Sequence, residues 1–345
     1  MSTTEQTQKT KSRAIVRLAI MALLTLFLFV SINLLFMPKY IEENKDGRIT
    51  SEFYREKLSN DVLFIGSSTV HSAINPIILF EDYGITSFDR STASQTAWVS
   101  YYMIKDAMEV SDPKMVVMDL SFLRYGDDYV EEASNRKAID GMRLSKTKYQ
   151  FIKAAKSPEE NYIDYLLPIG RFHTRWKYLT AEDWKYLYYK PTVSYNGYLS
   201  NDHVLPAHGE TASDDKDDIK MSARNQLFLK NIVSLCRDNE MSLLLIKIPS
   251  YSPKWGEAFE QNIHMEADGA GVAYIDFDPM TEEIGIDWQT DTPDEGGHLN
   301  NAGAEKFSRY LGKFLTENYE LTDHRRDPEV LEVWNKKCER YHNGQ

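Results

Sequence analysis

The sequence predicts an α/β fold, a three-layer α/β/α sandwich around a mostly parallel five-stranded sheet. From residue 61 onward, short apolar runs alternate with helical patterns. Such alternation indicates βαβ crossovers, with helices on both faces of a parallel sheet. The first apolar run, residues 62–65, is brief and bounded by polar residues, as expected of a strand that is buried on both faces.

The elements follow in order along the chain. Strands are predicted over residues 62–65, 86–88, 115–118, 243–248 and 273–277, and helices over residues 97–110, 217–237, 255–267 and 303–318. Pro249 directly after the fourth strand and the glycine-containing turn at 268–271 before the fifth support these boundaries. The elements define a domain over residues 61–320. A linker over 38–60, helical near 51–58, precedes it, and a polar tail over 321–345 follows it.

Residues 125–215 interrupt the strand and helix alternation. The segment is rich in tyrosine and tryptophan and lacks a clear strand period. We interpret it as a mainly helical insertion packed over the C-terminal edge of the sheet. Its aromatic side chains could stack on a sugar or form a satellite hydrophobic core, and the core is the favoured interpretation: Trp184, Tyr186, Tyr188, Tyr189, Tyr195 and Tyr198.

The composition is that of a globular protein with ample core. The chain has 345 residues, a net charge of -12, and hydrophobic and aromatic fractions of 42% and 12%. The negative charge argues against a nucleic-acid partner, whose phosphates would be repelled. Cys236 and Cys338 indicate neither a disulfide framework nor a cysteine metal site. His203 and His208 lack a third ligand cluster, so no metal site is predicted.

The N-terminus predicts a membrane anchor. Residues 18–37 contain no charge and are numerous enough to cross a bilayer as a helix. Basic residues precede the stretch and acidic residues follow it. With residues 14–37 as the anchor, the positive-inside rule puts residues 1–13 in the cytoplasm and the chain after residue 37 outside. A cleaved signal peptide is the alternative, but no small-residue cleavage site follows Phe36. We therefore expect a single-pass protein of the bacterial cell membrane with an extracytoplasmic domain.

Two distant motifs carry groups that suit acyl transfer. Gly66-Ser67-Ser68 ends the first strand, at the edge where open α/β sheets place their chemistry. Asp294, Glu295 and His298 lie about 230 residues later, just before the last long helix of the predicted domain. Together the motifs supply a hydroxyl nucleophile, an imidazole base and a carboxylate. Either motif alone would be an ordinary turn or a surface histidine, and their conjunction favours catalysis.

At these motifs the chain resembles the SGNH (GDSL-like) hydrolase superfamily over residues 61–124 and 217–318. The family's first block matches Gly66-Ser67-Ser68, which implies that Ser68 is the nucleophile. Its last block matches the run from His298 through Leu299 and Asn300 to the helix-starting Gly303, which implies that His298 is the general base.

Three departures from the family pattern bear on the site. Glu295 has the family's spacing of three residues before the histidine and Asp294 has its residue type, so the spacing slightly favours Glu295. Ser94 stands where the second block has glycine, and its backbone N–H, with that of Ser68, could still line an oxyanion hole. The asparagine of the third block is missing, and residues 118–121 occupy its place.

These departures resemble the branch that includes the D-alanyl transfer protein of teichoic acid modification and the alginate acetyltransferases. That resemblance implies an extracytoplasmic serine esterase or O-acyltransferase acting on acyl, above all acetyl, groups of a cell-surface or secreted polysaccharide or of another acylated carbohydrate. It also implies work beside a membrane-bound O-acyltransferase, without any cofactor. The alternative is a catalytically degenerate domain that binds polysaccharide or scaffolds such an acyltransferase.

Overall fold

The computed structural model describes residues 3–37, 46–121, 123, 132–209, 221–252 and 255–344. The chain forms two compact units. The smaller unit combines residues 1–39 with 160–191, and the larger unit combines residues 40–159 with 192–345.

The helices, in chain order, are α1 Thr3–Phe36, α2 Asp46–Phe53, α3 Ser68–Ala73, α4 Pro76–Tyr83, α5 Ala97–Ala107, α6 Glu132–Ile139, α7 Lys146–Ala155, α8 Tyr162–Leu166, α9 Pro168–Phe172, α10 Ala181–Lys185, α11 Ala223–Asp238, α12 Glu257–Ala270, α13 Thr281–Ile284, α14 Asn301–Asn318 and α15 Pro328–His342.

The larger unit contains one five-stranded sheet in which every pairing is parallel. Its strands are β1 Val62–Gly66, β2 Ser87–Ser91, β3 Met115–Asp119, β4 Ser242–Lys247 and β5 Ala273–Asp276, in the spatial order β2-β1-β3-β4-β5. The register places Gly66 opposite Ser91 and Asp119 opposite Ile246. The C-terminal ends of the strands therefore share one edge, and the predicted α/β class with a parallel five-stranded sheet is confirmed.

Helices cover both faces of the sheet, because successive side chains of each strand point to opposite sides. Leu63 and Ile65 pack in a core with residues of α5, α11 and α12. Val62 and Phe64 pack in a second core with residues of α3, α4 and α14. The two cores make the three-layer arrangement that the sequence predicted.

The second strand is longer and more polar than its prediction. β2 continues through Asp89, Arg90 and Ser91, all of which are fully buried. The guanidinium of Arg90 pairs with the Asp106 carboxylate at 2.6 Å and lies 4.4 Å from the Phe53 ring centroid. These partners allow a charged residue inside the buried strand β2. A search for apolar runs therefore detects only the first part of β2.

Residues 321–345 are not a loose polar tail. They include α15, whose Trp334 ring stacks on Phe80 of α4 with centroids 4.7 Å apart. Val330, Trp334 and Cys338 are buried on one face of α15. Their spacing of four residues is a helical stripe that the polar composition of the segment concealed. Cys236 and Cys338 are both free and buried.

The predicted insertion, residues 125–215, divides into three parts. α6 and α7 belong to the larger unit, and α7 packs against α5, with Phe151 stacked on Tyr102 at 5.2 Å. This part therefore joins a helical layer on one face instead of covering the C-terminal edge. Residues 160–191 belong to the smaller unit. Residues 192–209 run beside β2, where the Asp89 N–H donates to the Asn196 carbonyl at 2.9 Å. Residues 125–131 and 210–215 lie outside the described part.

The smaller unit contains α1, which matches the predicted anchor over residues 14–37. Residues 11–36 of this helix are long and apolar enough to cross a membrane, with a mean hydropathy of 2.6 in the most apolar window and no part of that window buried. Length and composition alone support this assignment. Residues 38–45 of the predicted linker lie outside the described residues, and α2 ends at Phe53, before most of the helix predicted near 51–58.

α14 packs at close range on α3 and α4. Ser308 of α14 accepts a hydrogen bond from the Asn75 N–H at 2.8 Å, in the turn that joins α3 to α4. Further along α14, the buried Gly312 faces the ring of Tyr83 and a methyl group of Leu79. The Tyr83 hydroxyl donates to the Arg309 carbonyl at 2.7 Å, which holds its ring against the helix. A side chain at Gly312 would push α14 away from α4.

This packing predicts opposite effects for two glycine-to-alanine substitutions in helices. Gly312→Ala should lower the free energy of unfolding by about 1–3 kcal/mol, because overpacking outweighs the gain in helix propensity. Gly269→Ala in α12 is the matched control, since no atom lies within 4 Å of its added Cβ. The control should be neutral or stabilising by up to about 1 kcal/mol. Urea unfolding of the detergent-solubilised chain measures both. Equal effects of the two substitutions would contradict the close helix contact.

Candidate active site

The two motifs meet at the C-terminal edge of the sheet. Ser68 begins α3 directly after β1, and His298 lies three residues before α14. The Ser68 Oγ and the His298 Nε2 are 2.7 Å apart, a hydrogen bond between residues 230 positions apart in sequence. The structure thus brings together the hydroxyl and the imidazole that the sequence analysis paired.

Gly66 and Ser67 shape the turn that presents Ser68. A Cβ on Gly66 would lie 2.5 Å from a methyl group of Val70 and 3.0 Å from the Cβ of Asp119, so only glycine allows the chain to turn this tightly against β3. The buried Ser67 directs its hydroxyl to that of Thr69, at 2.9 Å. Ser68, as the resemblance implied, is the serine that meets the histidine.

Asp119 holds the first turn of α3 against the end of β3. This buried carboxylate at the end of β3 accepts hydrogen bonds from the Thr69 hydroxyl at 2.7 Å, the Ser121 hydroxyl at 2.8 Å and the Ile248 N–H at 3.2 Å. Burial raises the pKa of Asp119, and these hydrogen bonds oppose the rise. From the sequence alone, residues 118–121 were only the place of a missing asparagine. The signal in the sequence for a buried carboxylate that supports α3 was an aspartate at the end of an apolar strand.

Asp294 is the carboxylate that contacts the imidazole. Its Oδ2 lies 2.5 Å from the His298 Nδ1, and its Oδ1 accepts from the His298 backbone N–H at 2.9 Å. Burial raises the pKa of Asp294, but hydrogen bonds and the charge of His298 outweigh it, so the net shift is downward. An ionised carboxylate accepts only, so Asp294 favours a ring proton on Nδ1, and in the neutral ring with that proton Nε2 accepts from Ser68.

Glu295, which the family spacing favoured, does not reach the ring in the described structure. Its backbone takes a left-handed conformation with φ at 63°, and its side chain is exposed. Its N–H donates to the Leu205 carbonyl at 3.1 Å. The separation of four residues between Asp294 and His298 lets one carboxylate bind both the ring and the backbone of the histidine. The preference for Glu295 is therefore corrected to Asp294.

Buried polar residues hold the loop that carries His298. The Thr292 hydroxyl accepts from the Gly296 N–H at 2.7 Å and closes the turn around Asp294. The amide of Asn300 donates to the carbonyls of Thr290 at 2.8 Å and His203 at 3.1 Å. Its carbonyl accepts from the Gly303 N–H at 3.2 Å, which caps α14. Asn300 thus fixes both ends of the loop, a role that the sequence analysis did not assign.

Residues 198–209, here called the strap, run alongside the histidine loop. The Leu205 N–H donates to the Thr292 carbonyl at 2.9 Å, and the Ala207 N–H donates to the Trp288 carbonyl at 2.9 Å. Together with the hydrogen bond from the Glu295 N–H to the Leu205 carbonyl, these bonds hold the backbone of the histidine loop against the strap. His203 and His208 lie on the strap and are exposed, and no cluster of metal-binding side chains occurs among the described residues.

Ser94 has a left-handed backbone conformation. Its φ is 60°, in the region that glycine adopts most readily. Ser68 lies in the first turn of α3, where N–H groups have no partner within the helix. The use of the Ser68 and Ser94 N–H groups as an oxyanion hole stays a prediction.

His71 is a second histidine near the site, and it is buried. Its Nδ1 lies 3.1 Å from the Ser91 hydroxyl at the end of β2. Burial lowers the pKa of His71 to about 3, with smaller contributions from His298 and Lys137. The ring is therefore neutral at ordinary pH. It packs between α3 and β2 and holds no position in the chain of hydrogen bonds from Ser68 to Asp294.

Comparisons with known proteins give similarity to solved structures only. No protein-family model and no curated protein matches the chain. A GDSL-like lipase from Bacteroides thetaiotaomicron is 9% identical, with 79% of this chain and 97% of that chain covered and a TM-score of 0.36. An acetyl-xylooligosaccharide esterase variant from Geobacillus stearothermophilus is 10% identical, with 77% and 98% covered and a TM-score of 0.37. Identities this low leave the chain's own side-chain geometry as the basis for any chemical proposal.

Proposed function

We propose that the chain is an extracytoplasmic serine esterase or O-acyltransferase acting on acyl groups, above all acetyl groups, of a cell-surface or secreted polysaccharide. The observation that carries this proposal is the continuous chain of hydrogen bonds from Ser68 Oγ through the His298 ring to Asp294 Oδ2. A nucleophile, a base and an orienting carboxylate in contact are the groups that acyl transfer through a serine requires.

In the first half of the reaction, Ser68 Oγ attacks the carbonyl carbon of the ester while its proton passes to His298 Nε2. Asp294 accepts from Nδ1–H and stabilises the imidazolium that forms. The carbonyl oxygen gains the negative charge, and we place it beside the N–H groups of Ser68 and Ser94. Collapse of the intermediate breaks the ester C–O bond. His298 returns its proton to the departing alcohol oxygen, and the acyl group stays on Ser68.

In the second half, an acceptor hydroxyl attacks the acyl group on Ser68. His298 takes the acceptor's proton and passes it to Ser68 Oγ as the acyl–serine bond breaks. Water as acceptor gives an esterase, and a sugar hydroxyl gives a transferase. The side chains of His298 and Asp294 are 32% and 43% exposed, so solvent reaches the base and its carboxylate.

The proposed location and partner are supported by the N-terminal helix and by the resemblance to the family. α1 is long and apolar enough to tether the chain to a membrane, and basic residues before it favour an outside location for the larger unit. A membrane-bound O-acyltransferase that carries acyl groups across the membrane would be the acyl source in the transferase version of the proposal.

The proposal predicts covalent labelling of Ser68 by a fluorophosphonate, since an activated serine displaces fluoride from the reagent's phosphorus. Wild-type chain in detergent should be labelled, and Ser68→Ala should lose the label completely. Ser67→Ala is the matched control and should keep it, because the Ser67 hydroxyl faces Thr69. Gel fluorescence and peptide mass spectrometry measure the result. Absence of labelling in folded wild-type protein would instead favour the non-catalytic scaffold.

Asp294 and Glu295 offer a second matched pair. Asp294→Asn should lower the rate constant for fluorophosphonate labelling and for p-nitrophenyl acetate hydrolysis by about 10²- to 10⁴-fold, because the imidazole loses its orienting charge. Glu295→Gln should change either rate by less than about twofold, since an exposed charge contributes little. A larger loss in Glu295→Gln than in Asp294→Asn would show that the other carboxylate serves the histidine.

A further inference from the structure

The smaller unit carries an unusual number of aromatic side chains beside the end of α1. Residues 160–191, here called the aromatic collar, include nine aromatic residues among 32, whereas the whole chain is 12% aromatic. Several of these rings are exposed to solvent: Trp176 at 64%, Tyr178 at 73%, Trp184 at 54%, Tyr188 at 83% and Tyr189 at 51%. Soluble proteins rarely group large exposed rings without a partner surface.

Hydrogen bonds hold the aromatic collar to the last turn of α1. The Arg175 Nη1 donates to the carbonyls of Leu35 at 3.2 Å, Phe36 at 3.1 Å and Met37 at 3.0 Å. Such carbonyls lack partners within a helix, so the guanidinium satisfies the helix end. The Ile169 N–H donates to the Asn33 Oδ1 at 3.2 Å, one turn earlier. The position of the collar along α1 is therefore set by direct bonds.

The length of α1 places this helix end at the surface of a bilayer. The uncharged residues 18–37 rise about 30 Å as a helix, which equals the typical hydrocarbon thickness of about 30 Å. With the uncharged stretch in the hydrocarbon, Phe36 and Met37 lie at its boundary. A segment bonded to their carbonyls must then lie at the level of the lipid headgroups.

The chemistry of the collar suits that level. Tryptophan and tyrosine concentrate at membrane–water interfaces, where an apolar ring and a polar group are both accommodated. Lys177 lies 5.8 Å from the Trp176 ring centroid, and Lys185 lies 5.3 Å from that of Tyr189. The collar has five basic and four acidic residues, whereas the whole chain has a net charge of -12. Anionic lipid therefore repels the collar less than it repels the chain as a whole.

We propose that the aromatic collar is a lipid-binding surface, seated in the headgroup layer of the bilayer that α1 spans. Trp176 and Trp184 contact lipid directly, and the neighbouring lysines face the phosphate groups. The collar thereby fixes how far α1 can slide or tilt. This inference is independent of the acyl chemistry at Ser68.

Tryptophan quenching in proteoliposomes of the full chain tests the proposal. Bilayers of phosphatidylcholine with phosphatidylglycerol would carry a nitroxide quencher either at the headgroup or deep in the acyl chain. The headgroup quencher should reduce wild-type emission more than the deep quencher does. Trp176→Phe/Trp184→Phe should lose most of this lipid-dependent quenching, because the remaining tryptophans lie outside the collar.

Trp98→Phe is the matched control, since Trp98 is buried in the core and cannot touch lipid. It should leave the lipid-dependent quenching unchanged. Quenching of Trp176 and Trp184 by aqueous iodide in place of lipid nitroxide would overturn the proposal. Protection of Trp176 and Trp184 from both iodide and the lipid quenchers would also overturn it, by showing that protein and not lipid covers the collar. Retained near-ultraviolet circular dichroism in the variants excludes misfolding as the cause.

Discussion

The contact of α14 with α3 and α4 is the constraint on which the site depends. Ser68 starts α3 and His298 precedes α14, so the distance between their side chains is set by how these helices pack. Ser308 bonds to the turn after α3, and Gly312 allows close approach to Tyr83. Because protein cores are packed densely, a shift of α14 cannot be absorbed locally. It would open the 2.7 Å contact between the Ser68 hydroxyl and the His298 ring.

The candidate site separates partly exposed side chains from their buried supports. His298 and Asp294 are partly open to solvent, whereas Asp119, Thr292 and Asn300 are almost fully buried and bonded to backbone or hydroxyl groups. Buried and satisfied polar groups resist rearrangement, since losing a partner costs the full desolvation of the group left behind. The supports therefore restrict the orientations of His298 and Asp294.

Much of the fold and half of the site were predictable, and the failures have physical causes. β1 and its Gly66-Ser67-Ser68 turn were clear because an apolar run and a tight turn are local signals. The extent of β2 was not, since Arg90 is buried only by virtue of Asp106 and Phe53, which are distant in sequence. The choice of Asp294 over Glu295 depended on a left-handed residue within the turn, and family spacing contains no information on that conformation.

The partly exposed site and a helix that is able to span a membrane together define what transfer to a polymer would require. Water competes for the acyl group of an acyl-serine, so a sugar hydroxyl succeeds only when binding holds it against the acyl carbon. Well-oriented groups reach effective molarities of about 10⁵ M or more, which is enough to exceed water. Anchoring at the membrane raises the local concentration of acceptors made there. A surface that orients the acceptor beside Ser68, and not a stronger nucleophile, is therefore what separates a transferase from an esterase on this scaffold.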